Sequence, residues 1–173
     1  VVSLGLAALS YTASFAVIDR ALEKRQSFIF FTTTALVLTL VGFGVMFEGS
    51  VHAVAFAAVG LLVTWIGATR QRATLSLHGG VYVTAAAISV GLFEWVVAAF
   101  SAPNAASVAS ITPAMVFVIA VAGLCSWFEV ATHGKTWGRF SRAPKLMMIL
   151  VLMLGVGATL VTLGARLIPV AAD

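Results

Sequence analysis

The residue whose type and position most favour chemistry is Glu94, a carboxylate inside a long apolar run. Because an ionised carboxylate is costly in an apolar segment, such residues often serve as proton or cation sites. On a continuous helix, the neighbouring turns of its face carry small residues: Ala87, Gly91, Ala98 and Ser101. Small faces pack against other helices. We therefore expect Glu94 to point into a helical bundle. There it either binds a proton or cation or ties helices together, while an outward reach toward the interface stays open.

Arg166 is the candidate partner of this carboxylate. It lies near the end of the last apolar run, on the same predicted side of the membrane as Glu94 and Glu48. Pairing with either carboxylate would lower the cost of burying both charges. The alternative is that the long arginine side chain extends to the lipid headgroups. The sequence leaves both possibilities open.

A second polar face combines Cys125, Glu129 and His133, which follow one another at intervals of four residues. On a helix this spacing places a thiol, a carboxylate and an imidazole on one side. A metal site needs three or four ligands, and one helix supplies two good ones here, so we expect no metal site. Glu129 is instead expected near the basic residues that follow it, as a helix-pairing residue or an inner proton relay.

His78 and His133 are the candidates for binding a cofactor, whose identity the sequence leaves unknown. A haem held between helices needs two histidines at matching depth, and the apolar runs contain no such pair. A chlorophyll-type pigment needs one axial histidine, and Gly79 and Gly80 would allow a flat ring to approach His78 closely. The simpler interpretation is that His78 marks the water boundary.

These residues are carried by apolar runs of the length of membrane spans. The chain has 173 residues, of which 61% are hydrophobic and 9% are charged, whereas soluble domains are roughly a quarter charged. A span needs about 20 apolar residues. Six runs qualify or nearly do: 1–18, 28–47, 51–69, 79–100, 113–132 and 146–168. The sequence therefore predicts an all-α, polytopic transmembrane helical bundle with short loops, formed by a single domain over residues 1–173.

The basic residues predict an orientation. Nine of the ten fall in three alternate connections, at 19–27, 70–78 and 133–145, and Arg166 is the exception. Since cytoplasmic loops are enriched in Lys and Arg, these three loops are expected in the cytoplasm. Both termini are then expected outside it, in a multi-pass protein of the inner membrane.

Function is less constrained than location. The sequence contains no phosphate-binding loop, no HExxH and no GxSxG motif, and no loop exceeds about 13 residues, so an enzyme is disfavoured. Nucleic acid is not expected as a partner, because the basic residues occupy short loops. The expected partners are membrane lipids and other membrane subunits.

Two hypotheses follow. The first is a non-enzymatic accessory or scaffold subunit of a larger inner-membrane complex, with contact to lipid, quinone or pigment left open. The second is a small ion- or proton-coupled transporter that uses Glu94, with Glu129 as an inner relay.

Overall fold

The computed structural model describes residues 5–6, 8–10, 25–47, 49–70, 73–101, 108, 110–131 and 143–167. Over these residues the regular structure is helical, which confirms the all-α class. After a short helical stretch at 8–10, the helices are α1 (Arg25–Met46), α2 (Gly49–Thr69), α3 (Ala73–Ser89), α4 (Leu92–Ser101), α5 (Pro113–Ala131) and α6 (Ala143–Leu167).

Two helices, α2 and α6, are long and apolar enough to cross a membrane. Helices α3 and α4 qualify as a third span when they are taken together, although a bend of 61° separates them. Helices α1 and α5 are apolar over the shorter stretches Thr32–Met46 and Pro113–Phe128. These two to three candidate spans fit a membrane location for the protein.

The predicted runs and the helices agree best for α1, α2, α5 and α6. The first run, 1–18, lies mostly outside the described residues. The fourth run is wrong in two respects, because its helix begins at Ala73 rather than 79 and breaks before Leu92. The predicted loop 70–78 is therefore too long. Ser76 and His78, which fall within this predicted loop, are both buried in α3.

Local signals set several helix ends. Gly49 has a φ of 59°, a left-handed conformation that glycine adopts without strain, and it starts α2 directly after α1. The Thr112 side chain caps α5, with its Oγ1 accepting a hydrogen bond from the Met115 amide at 3.2 Å. Pro113 occupies the first helical position, where its missing N–H has no partner to lose.

Glycines allow α2 and α3 to approach until their backbones nearly touch. A Cβ added at Gly60 would lie 3.2 Å from the Gly79 carbonyl oxygen, and one at Gly67 would lie 2.8 Å from the Ser76 amide nitrogen. Thr64, between the two glycines of α2, is fully buried on the same face. Small residues at a helix contact increase the van der Waals contact between the two backbones.

The remaining helices pack around this pair. A Cβ at Gly80 would meet Pro144 of α6 at 3.4 Å, and one at Gly155 would meet Ile119 of α5 at 2.5 Å. Helix α1 joins through Phe43, whose ring lies 5.5 Å from that of Phe56. The largest fully buried side chains are Tyr82, Leu75, Leu92, Met148, Val83, Val118, Val121 and Val151.

The contact between α2 and α3 predicts an unequal response to one substitution. Gly67→Ala places a methyl group against the Ser76 backbone, which cannot rotate aside, so we expect a loss of about 2 kcal/mol in stability. Gly44→Ala in α1 meets nothing within 4 Å, and its higher helix propensity should leave stability unchanged or raised. Thermal unfolding in detergent compares them, and equal melting temperatures would contradict the packing described.

Candidate functional site

The bend between α3 and α4 is centred on Gly91, whose φ of 70° lies in the left-handed region. The Val90 amide still donates to the Ala86 carbonyl at 3.1 Å, while the Gly91 amide donates to the Ile88 carbonyl at 3.0 Å. The Trp95 amide then donates to the Gly91 carbonyl at 3.0 Å and opens α4. Helix α3 thus ends at a left-handed glycine, and α4 starts at once in a new direction.

A hydroxyl group supports the end of α3. The Ser89 Oγ donates to the Ala85 carbonyl oxygen at 2.8 Å, one turn back along the helix. This hydrogen bond engages a backbone carbonyl near the end of α3, and such side-chain hydrogen bonds commonly accompany helix bends. The break therefore combines a glycine with a serine, at a point where the sequence contains no proline.

Glu94 lies in the first turn of α4. Its Oε2 lies 3.8 Å from the position that a Cβ would take at Gly91, so the carboxylate is beside the break. A negative charge at the start of a helix interacts favourably with the helix dipole. The carboxylate is thus held next to the amide groups that open α4.

The Glu94 side chain is exposed, so the prediction that it points into the bundle is wrong. That prediction treated residues 87–101 as one helical face, whereas the 61° bend divides them between two helices. Helix α4 packs inward through Leu92, Trp95, Val96 and Ala99. Its other face leaves Glu94 exposed, together with Val97 and Ala98, which lie three and four residues further on.

Among the residues that the structure describes, Arg166 binds a backbone carbonyl and no carboxylate. Its Nη2 donates to the Val108 carbonyl oxygen at 3.0 Å, which ties the end of α6 to the segment that follows α4. The structure therefore does not bring Arg166 and Glu94 together as a bonded pair. Glu48, the other predicted partner, lies outside the described residues.

His78 is buried in α3, at 2% exposure, instead of marking a water boundary. The two glycines after it are occupied by helix contacts. Gly79 faces the Gly60 carbonyl of α2, and Gly80 faces Pro144 of α6. The surface at Gly79 and Gly80, which was predicted to allow a flat pigment ring to approach His78, is therefore covered by α2 and α6. His133, the second cofactor candidate, lies outside the described residues.

The face of Cys125, Glu129 and His133 is described only in part. Cys125 is fully buried in α5, whereas the Glu129 side chain and His133 lie outside the described part of the chain. Within that part, no group of three or more His, Cys, Asp or Glu side chains is placed to hold a metal ion. The relay role of Glu129 stays a prediction.

The sequence analysis missed a set of buried hydroxyls in the first three helices, namely Thr32, Thr39, Thr64 and Ser76. Thr39 Oγ1 donates to the Ala35 carbonyl at 2.8 Å, whereas the buried Thr64 Oγ1 has no hydrogen-bond partner. The spacing of Gly60, Thr64 and Gly67 was the available signal, because it places the hydroxyl on the face that contacts α3.

No protein-family model, no curated protein and no solved structure matches the chain. The helix break, the exposed carboxylate and the packing are therefore the features that bear on function.

The left-handed conformation at Gly91 predicts a specific cost. Gly91→Ala should lower stability by about 1 to 2 kcal/mol, because a Cβ clashes with the backbone at positive φ. Gly164→Ala in α6 is the matched control, since its Cβ would enter open space. Thermal unfolding of the two variants measures the difference. A Gly91→Ala protein as stable as the Gly164→Ala protein would mean that α3 and α4 are not separated by this turn.

Proposed function

We propose that the chain is a non-enzymatic accessory or scaffold subunit of a larger inner-membrane complex. The observation that carries the proposal is the exposed Glu94 carboxylate on an otherwise apolar helix face. The chain crosses the membrane about six times, with the basic residues found within 19–27, 70–78 and 133–145 on the cytoplasmic side and both termini outside. This orientation rests on the distribution of Lys and Arg.

The depth of Glu94 follows from α6. Lys145 and Arg166 are separated by twenty uncharged residues. At 1.5 Å per residue, the two charges are about 31 Å apart along the helix, which matches a hydrocarbon layer of about 30 Å. With one charge at each boundary, the middle of the bilayer lies near Gly155 and Val156.

Helix α4 meets α6 close to this midpoint. The Phe100 Cζ lies 3.6 Å from the position that a Cβ would take at Gly157. Glu94 comes six residues before Phe100, about 9 Å away along the axis of α4. Even with α4 parallel to the membrane normal, Glu94 would lie about 9 Å from the midplane, within a half-thickness of about 15 Å. Glu94 is accordingly placed inside the hydrocarbon layer.

A charged side chain at the centre of a span costs about 3 kcal/mol on insertion scales. Such side chains nearly always face a bundle interior, a water-filled cavity or an opposite charge. Glu94 has none of these within the described residues, because it lies on the outer face of α4. A neighbouring subunit that covers this face would remove the carboxylate from lipid, which supports the proposal.

The interior favours a supporting role. At the contacts between α2 and α3, and between α5 and α6, added methyl groups would approach neighbouring atoms to 2.9 Å at Gly60 and 2.5 Å at Gly155. Interfaces packed this tightly do not slide readily past one another. A rigid bundle suits a subunit that positions its neighbours.

An ion- or proton-coupled transporter is the second candidate, and the helix break favours it. Many transporters bind their ions near the bilayer midplane at discontinuous helices. Here a break at Gly91 is followed within one turn by a carboxylate. In this case Glu94 would bind the proton or cation directly.

One experiment separates the two candidates. The chain is extracted from its own membrane into native nanodiscs, and the particle mass and its protein composition are measured. After the lipid and polymer masses are subtracted, the proposal predicts a protein mass per particle well above the 18.0 kDa chain, with other subunits at a fixed ratio.

The scaffold proposal is contradicted if the chain is isolated without other subunits. If liposomes containing it then carry a proton or cation flux that Glu94→Gln abolishes and Ser101→Ala retains, transport replaces the scaffold role. Ser101 is a suitable control because it is also exposed on α4 but carries no charge.

A further inference from the structure

We propose that the exposed face of α4 binds a membrane helix of another protein that carries a lysine or arginine opposite Glu94. This proposal rests on the proposed function, since it names the chemistry of the neighbouring subunit. The α4 face consists of Glu94, Val97, Ala98 and Ser101, all of them exposed. It offers one carboxylate surrounded by apolar and small side chains.

The distribution of charged residues in this chain indicates which kind of helix binds the α4 face. Glu94 is the one charged residue between residues 73 and 128. The apolar stretches 26–47, 49–69 and 146–165 contain no charged residue either. These apolar stretches therefore place no cation opposite Glu94, whether in the same chain or in a second copy. The proposed partner is accordingly a different chain that supplies the complementary charge.

Arg166 does not fill this role. Its guanidinium donates to the Val108 carbonyl oxygen at 3.0 Å. It also lies nine residues beyond Gly157, about 13 Å further along α6 from the place where Phe100 meets that helix. A second copy packed at the same depth would bring the same Arg166 to the membrane boundary, away from the α4 face.

The shape of the face agrees with a helical partner. Ala98 lies one turn after Glu94, and Ser101 lies one turn further on, so small residues continue the row that the carboxylate begins. Rows of small residues let a second helix approach closely. A lysine or arginine on that helix would then meet the carboxylate away from water, where ion pairs and hydrogen bonds are less weakened by solvent.

The test uses the full chain in phosphatidylcholine nanodiscs with synthetic transmembrane peptides. Three peptides share a Leu/Ala sequence and differ at one central residue, which is Lys, Leu or Glu. Association is measured by energy transfer from a donor at the C-terminus of the chain to an acceptor on the peptide. We expect the Lys peptide to bind about tenfold more tightly than the Leu peptide, and the Glu peptide not to exceed the Leu peptide.

Two variants test the role of the carboxylate. Glu94→Gln should bind the Lys and Leu peptides equally, and Glu94→Lys should prefer the Glu peptide. Circular dichroism checks that both variants retain the helix content of the parent. Equal binding of the Lys peptide to the parent and to Glu94→Gln would overturn the proposal.

A third variant tests the face itself. In Glu94→Gln with Leu124→Glu, the carboxylate moves to α5, at a side chain that is 51% exposed. This variant should bind the Lys peptide no better than Glu94→Gln alone. If it binds as tightly as the parent, any carboxylate in the bilayer suffices and the α4 face is not the site. Native complexes that persist in Glu94→Gln would then leave the scaffold proposal standing without this contact.

Discussion

The close approach of α2 and α3 is the contact on which the rest of the bundle is built. Apolar side chains gain little by leaving lipid for one another, so helices in a membrane depend on the quality of their packing. Gly60, Gly67 and Gly79 bring the two backbones within contact of each other. Helices α5 and α6 then pack against this pair, and α1 joins through aromatic rings. The same close packing buries Ser76 and the Thr64 hydroxyl.

The break at Gly91 turns the chain out of this packed arrangement. Helix α3 ends in contact with the core, and α4 leaves at 61° with one apolar face buried and the other exposed. Glu94 follows the break immediately and therefore lies on the outer face. A helix that continued through Gly91 would have carried this residue toward its neighbours, as its small-residue face suggested. The backbone conformation of one glycine thus decides whether the carboxylate lies in the interior of this chain or on its surface.

Run length predicted most of the helices, because the apolar stretch of a span reflects the thickness of the layer that it crosses. Run length did not predict the start of α3 within 70–78 or the break at Gly91. Ser76 and His78 are polar residues that are buried in the folded chain, which no local sequence pattern reveals. Glycine is tolerated inside membrane helices and also ends helices, so the presence of Gly91 in the sequence does not by itself predict a break. The exposure of Glu94 depends on that break. The hydrogen bond of Arg166 depends on the position of the Val108 carbonyl, which is far from Arg166 in sequence.

The depth of the α4 face is the central claim, and a spin label tests it most directly. Ala98 is exposed one turn after Glu94, and Cys125, the single cysteine, is replaced by alanine to leave one labelling site. In liposomes, a nitroxide at Ala98→Cys should collide frequently with oxygen and rarely with a water-soluble nickel chelate. A label at Arg70→Cys, at the exposed end of α2, provides the water-facing reference. Nickel accessibility at residue 98 equal to that reference would place α4 in water and contradict the account.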